Sequence, residues 1–143
     1  MNIGFIGIGA ISESVITGLL SVDNTLDKII VSPRNAKRAA ALAVKFSQVT
    51  IAKSNQAVID ESDVVCLALR PQVAEEILNN LEFKAEVVVI SFIATYSTEV
   101  LTSIVAPARK VLRMVPLPSV AKNMGPVVLS PPCDEISQLF GSI

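Results

Sequence analysis

The sequence predicts an α/β protein whose doubly wound, mostly parallel sheet carries helices on both faces. Three observations point there. Short β-branched runs alternate with helix-period segments along the chain. Most of these runs are continuously apolar, the pattern of strands covered on both sides. A glycine-bearing turn joins the first run to the first amphipathic segment. Strand–helix alternation with short connections gives right-handed crossovers onto one parallel sheet.

Taken in order, the expected strands are residues 2–7, 28–32, 49–52, 63–69, 86–91 and 110–114. The first helix spans residues 11–21, where Ile11, Val15 and Leu19 recur every four positions beside Ile16 and Leu20, opposite Glu13, Ser14, Thr17 and Ser21. A second, Ala-rich helix runs from about Asn35 to Phe46. Pro71 opens a third, since proline is tolerated in a first turn, with Val73, Ile77, Leu78 and Leu81 as its apolar stripe. Residues 97–105 make another, with Ser97, Thr98 and Glu99 at its start and Pro107 just past its end. After Met114 the pattern breaks. Pro116, Pro118, Pro126, Pro131 and Pro132 punctuate a stretch with one further expected strand at 126–130, and residues 133–143 begin a helical pattern through Ile136, Leu139 and Phe140.

Composition narrows the function. The chain has 143 residues, 51% of them hydrophobic and 17% charged, with a formal charge of −1. Such a length buries roughly 68–70% of the unfolded surface, enough for one core, so a single domain over residues 1–143 is expected. Low charge with high apolar content excludes intrinsic disorder. The charge balance also argues against electrostatic capture of nucleic acid. There is no His, which removes His-based acid–base chemistry, a Ser-His-Asp triad and His-ligated metal. No metal site is expected. With no Trp and scattered aromatics there is no base-stacking platform. Cys66 and Cys133 are far apart, and Cys66 lies in an apolar run, so it reads as a small core residue in a reducing compartment. No basic leader precedes the first apolar stretch, and no apolar run approaches the ~20 residues of a membrane helix. A soluble, cytoplasmic protein is the expectation.

The informative string is Gly4-Phe5-Ile6-Gly7-Ile8-Gly9-Ala10-Ile11-Ser12. Gly7 and Gly9 occupy the first two positions of the G-x-G-x-x-G dinucleotide fingerprint, and Ser12 stands where a third Gly or Ala is usual. One glycine makes the strand-to-helix turn, the next admits a pyrophosphate, and the third position keeps helix and sheet close. The helix N-terminus then offers free N–H groups to the phosphates. This is a Rossmann-like arrangement in the required context of strand, turn and helix. The candidate phosphate-loop residues are Gly7, Ile8, Gly9, Ala10, Ile11 and Ser12. The alternative is a glycine turn that binds nothing.

About 20 residues further on, an acid would hold the ribose 2′-hydroxyl of NAD. This chain instead has Val31-Ser32-Pro33-Arg34-Asn35, followed by Lys37 and Arg38. Ser32 and Arg34 are candidates for a 2′-phosphate, with Arg34 donating a charge-assisted fork. The expected cofactor is therefore NADP(H). The alternative is a solvated basic helix start, but cations at a helix N-terminus are electrostatically misplaced, which favours a ligand role.

Further along, Val64 to Leu69 leads into Arg70-Pro71-Gln72, then come Val88, Ile90 and Ser91, and then Arg113-Met114-Val115-Pro116. Together with the glycine turn, these motifs resemble, in order and over nearly all of the chain, the pyrroline-5-carboxylate reductase family. The resemblance implies hydride transfer from NADPH to a cyclic imine in the last step of proline synthesis. It implies that Asn55 contacts the adenosine half of the cofactor, that Leu69, Arg70 and Pro71 form a turn flanking it, and that Ser91, Phe92, Ile93 and Ala94 end a strand beside the nicotinamide. On the residues alone, Asn55 also reads as a cap for a helix at 55–61, and Pro71 as a helix start.

Two departures stand out. The family reads Met-Pro-Asn-Thr-Pro where this chain has Val115-Pro116-Leu117-Pro118-Ser119, so the polar pair near the nicotinamide is replaced by Leu117 and Pro118. The family's lysine before the proline is Arg70. The resemblance also implies a C-terminal helical dimerisation domain with a Gly-Ser-Gly-Pro segment that holds most of the substrate and is absent from this chain. The chain is then a fragment of a longer protein or a free-standing cofactor domain.

Imine reduction asks little of side chains, because the nicotinamide carries the chemistry and the protein orients it. No catalytic acid or base is named in these residues. The chain is expected to bind NADPH while reducing the imine poorly by itself, with a small-molecule substrate, no membrane partner and a homo-oligomeric full-length parent. Two other readings remain: the cofactor domain of another Rossmann oxidoreductase, such as a coenzyme-F420-dependent NADP oxidoreductase or a β-hydroxyacid dehydrogenase, and a non-enzymatic dinucleotide-sensing module.

Overall fold

A computed structural model describes residues 1–22, 26–141 and 143. Seven strands form one sheet: β1 (Asn2–Ile6), β2 (Lys28–Val31), β3 (Val49–Ile51), β4 (Val64–Leu67), β5 (Val88–Ser91), β6 (Lys110–Val115) and β7 (Val128–Ser130). Among the described residues, five α-helices join successive strands and a sixth follows β7: α1 (Ala10–Ser21), α2 (Ala36–Lys45), α3 (Asn55–Asp60), α4 (Pro71–Leu78), α5 (Thr98–Ile104) and finally α6 (Asp134–Phe140). The order across the sheet is β3-β2-β1-β4-β5-β6-β7. Every pairing is parallel except β6 with β7, which is antiparallel. The strand order reverses between β1 and β4, which opens a crevice beyond their carboxyl ends.

The continuous apolar runs are explained by alternation into two separate cores. Ile3, Phe5, Ile29, Val31, Val64, Cys66 and Ile90 point to one face, where they pack with Val15, Ile16 and Leu19 of α1 and Leu42 of α2. Ile6, Ile30, Val65, Leu67, Val87 and Val89 point to the other, with Val58 and Ile59 of α3, Ala74 and Leu78 of α4 and Leu101 of α5. A sheet sandwiched in this way has no solvent face on its central strands, so alternation with polar residues is absent there.

The expected elements are all present, and their trimmed ends have local causes. At the flanks of α2, Asn35 and Phe46 are caps, and Ser97 and Val105 cap α5, with Ser97 Oγ accepting from the Val100 N–H at 3.3 Å. The strand expected at 63–69 stops at Leu67, because Ala68, Leu69 and Arg70 leave the sheet to border the crevice. The expected stripe of α4 is half right: Leu78 is buried with Ala74, whereas Val73 and Ile77 are half-buried and face the crevice. A short 3-10 helix at Pro118–Lys122 was not expected. Ser142, within the expected C-terminal helical stretch, lies outside the described residues.

Candidate functional site

The crevice has a volume of about 780 Å³ and is open on one side, within the roughly 300–1,000 Å³ typical of small-molecule sites. Gly7, Ile8, Gly9 and Ala10 form its floor, Ala68, Leu69 and Arg70 one wall, and Arg34, Asn35, Ala36 and Arg38 the other. Val73 and Ile77 add an apolar margin.

The floor is shaped by two backbone conformations. Gly7 has φ +93°, and a Cβ there would lie 2.4 Å from the Ala68 carbonyl oxygen. Only glycine makes this turn against β4. Gly9 is different: it is extended, and a Cβ on it would meet nothing within 4 Å. The space over Gly9 is therefore left open at the start of α1, which no side chain caps. Unpaired first-turn amides beside an open cradle suit a pyrophosphate.

Two buried serines brace the turn. The Gly7 N–H donates to Ser32 Oγ at 3.1 Å, and Ser12 Oγ donates to the Gly7 carbonyl at 2.7 Å. Both side chains belong to residues with no exposed surface. This corrects the expectation for Ser32, whose hydroxyl is held inside the protein and cannot reach a 2′-phosphate. Ser12 shapes the turn without its side chain facing the crevice, in keeping with the close-packing role of the third fingerprint position.

The second wall carries two of the three crevice cations, Arg70 being on the first. Arg34 and Arg38 are exposed residues on the crevice border. Asn35 fixes their position: its Nδ2 donates to the Ile8 carbonyl at 3.0 Å, and its Oδ1 accepts from the Arg38 N–H at 3.4 Å. One side chain thus caps α2 and ties it to the glycine turn. Arg38 also pairs with Glu13 of α1.

The crevice brings together Gly7, Ile8, Gly9, Ala10, Arg34, Leu69 and Arg70 of the residues expected from sequence. Ile8 contributes backbone alone, since its residue is 5% exposed and packs in the core. Ile11 is half-buried and Pro71 starts α4, neither on the crevice border. Asn55 opens α3 away from that border, and the cap expected of it is made by Ser54, whose Oγ accepts from the Ala57 N–H at 3.1 Å. Ser91 and Ile93 are buried at the end of β5, with Ser91 Oγ accepting from the Ile93 N–H at 3.1 Å. Ala94 is exposed, and its carbonyl accepts from Arg113 Nη2 at 2.7 Å.

Sequence reasoning missed Asn35, Ala36, Ala68, Val73 and Ile77 as crevice residues. For Asn35 the signal was legible, because an asparagine before an Ala-rich helix is a strong N-cap. Val73 and Ile77 carried a core signal indistinguishable from that of their neighbours.

The fold and the phosphate cradle define a dinucleotide-binding domain of the Rossmann type. Residues 2–95 match the family described as NADP oxidoreductase, coenzyme F420-dependent, and the chain belongs to that family. Among curated proteins it is similar to pyrroline-5-carboxylate reductase of Haemophilus influenzae, with 30% identity over 117 residues, 80% of this chain and 42% of that protein. It is also similar to the pyrroline-5-carboxylate reductase of Pasteurella multocida, with 31% identity over 120 residues, 80% of this chain and 43% of that protein. Among solved structures, 1-pyrroline-5-carboxylate reductase of Streptococcus pyogenes superposes with a TM-score of 0.82 at 27% identity, covering 99% of this chain and 55% of that one. The chain therefore spans about half the length of these relatives. Among the described residues no helix is long and apolar enough to cross a membrane.

Proposed function

We propose that residues 1–143 are the NADP(H)-binding domain of a reductase that converts 1-pyrroline-5-carboxylate to proline. The observation that carries the reading is the crevice itself: an open cradle over Gly9 beside two arginines, in a chain whose similar relatives bear that reductase name. When bound, the reduced nicotinamide supplies a hydride to the imine carbon while a proton goes to nitrogen, giving the amine and the oxidised cofactor.

The chain's own residues bind and orient. Gly7 makes the turn, Gly9 leaves room for the pyrophosphate, and the α1 amides meet its charge. Arg34 and Arg38 border the crevice just past β2 and in this reading hold the adenosine 2′-phosphate, and no acid stands at the end of β2 to favour NAD. Val73 and Ile77 offer an apolar flank to the adenine. Leu69, Arg70 and Pro71 lead from β4 to α4 on the path toward the nicotinamide, and Ser91, Ile93 and Ala94 end the next strand of the sheet. In this reading Asn55 serves the adenosine half from α3. The substrate and the oligomer contacts lie largely in the further half that the relatives possess, and the full-length protein works as a homo-oligomer in the cytoplasm.

Calorimetry with NADPH and NADH tests the cofactor, and NADP(H) is expected to bind more tightly. Pyrroline-5-carboxylate reduction is expected from a protein of the relatives' full length and little from residues 1–143 alone. Absence of reduction by the full-length protein would overturn the substrate. A second reading, with coenzyme F420 as the redox partner, draws on the family match over residues 2–95 and on Leu117 and Pro118 in place of the polar pair. Turnover of F420 without imine reduction would favour it.

A further inference from the structure

Of the three arginines on the crevice border, the two on the α2 side, Arg34 and Arg38, are not equivalent. Arg38 Nη1 pairs with the Glu13 carboxylate, whereas Arg34 has no carboxylate within ion-pair distance among the described residues. Glu13 stands in the first turn of α1, the turn that follows the open cradle at Gly9. It joins two elements that Asn35 already ties together, so Arg38 is presented to the crevice with its counter-ion attached. The Arg38 and Glu13 side chains are 43% and 44% exposed. In such surroundings the attraction of the pair is weak and screened. A phosphate dianion offers more charge and more acceptor oxygens to a guanidinium than one carboxylate does. The carboxylate also sits at the positive end of α1, where it repels the anions that end attracts.

We propose that Glu13 is a specificity-determining residue that competes with the 2′-phosphate for Arg38, and so sets how firmly the phosphorylated dinucleotide is held. The inference rests on the reading of this crevice as an NADP(H) site. In the free protein Arg38 is neutralised by Glu13. On binding, Arg38 turns to the phosphate beside Arg34, and Glu13 is left to solvent. A nucleotide without the phosphate gives Arg38 no reason to leave its partner. Glu13 thus weakens NADP(H) more than NAD(H), which keeps the cofactor exchangeable.

The test is calorimetric titration of the 143-residue chain with NADPH and with NADH. Glu13→Gln is expected to tighten NADPH about two- to fivefold, with a smaller change for NADH. Arg38→Ala is expected to weaken NADPH about tenfold or more, and adding Glu13→Gln to it should then tighten NADPH no more than NADH. Weaker NADPH binding in Glu13→Gln would overturn the proposal, because Glu13 would be positioning Arg38 for the ligand. Equal tightening of both nucleotides would also overturn it, because the carboxylate would then act through the pyrophosphate. If Arg34→Ala and Arg38→Ala both leave the NADPH-to-NADH ratio unchanged, the cofactor reading itself falls. If they collapse the ratio while Glu13→Gln does nothing, the role of Glu13 alone falls.

Discussion

The Gly7 N–H donates to the buried Ser32 hydroxyl at 3.1 Å, which ties the turn after β1 to the end of β2. The Gly7 carbonyl is satisfied as well, by Ser12 Oγ at 2.7 Å. Both polar groups of Gly7, whose φ is +93°, are thus paired inside the protein. Replacing Ser32 with Ala leaves the Gly7 N–H without its partner, at a cost of about 1–3 kcal/mol. Urea denaturation should register that loss, and NADPH affinity should fall because the turn is no longer held. Unchanged stability would mean that water reaches the amide and the serine is no brace.

Gly7 and Gly9 should fail in different ways. A Cβ at Gly7 would lie 2.4 Å from the Ala68 carbonyl on a backbone with φ +93°, so Gly7→Ala strains the fold itself. A Cβ at Gly9 meets nothing within 4 Å and its φ of −120° suits any residue, so Gly9→Ala should fold normally. The same methyl would occupy the space offered to the pyrophosphate. Thermal melts paired with NADPH titration separate the two: a lowered Tm for Gly7→Ala, and a native Tm with weakened binding for Gly9→Ala. Native affinity in Gly9→Ala would place the phosphates elsewhere.

The sheet was legible because burial on both faces leaves no alternation to confuse: runs such as Val64-Val65-Cys66-Leu67 are strands at any register. The glycine turn was legible because its context of strand, turn and helix is sequential. What the sequence hid lies between elements. Ser32 follows an apolar strand and reads equally as a ligand or a brace, until the Gly7 N–H is seen to point at it. Arg38 was visible as a cation, but its partner Glu13 lies 25 residues away on another helix. The 3-10 helix at Pro118–Lys122 has little propensity signal of its own, and its shape follows from packing against α1.

That packing makes a prediction about Gly18. An alanine in a helix interior is ordinarily worth about 1 kcal/mol over glycine. Here the added Cβ would lie 2.3 Å from the Val120 carbonyl oxygen, where the 3-10 helix crosses α1. The Asn123 side chain anchors the same crossing through Nδ2 to Ser21 Oγ at 3.1 Å. Gly18→Ala should therefore lose stability by about 1–3 kcal/mol, the opposite sign from an exposed helix. A rise in the urea midpoint would show that the 3-10 helix gives way freely.

Cys66 makes the last prediction, about alkaline stability. Its side chain is fully buried in β4, and desolvation pushes its thiol pKa well above the ordinary 9.0. The folded protein therefore keeps the thiol neutral at a pH where the unfolded chain ionises it. Below pH 9 the contribution is fully present. Above that, the unfolded state binds fewer protons than the folded one, and stability falls by up to about 1.4 kcal/mol per pH unit from this group. The measurement is a difference, which isolates this thiol from the rest of the chain: urea midpoints at pH 7 and pH 10 for the wild type and Cys66→Ala. The variant is less stable at pH 7 because it leaves a small cavity, yet it should lose less on going to pH 10. Equal losses would mean that the thiolate is tolerated in β4, and an aromatic disulfide reagent would then label Cys66 in the folded protein.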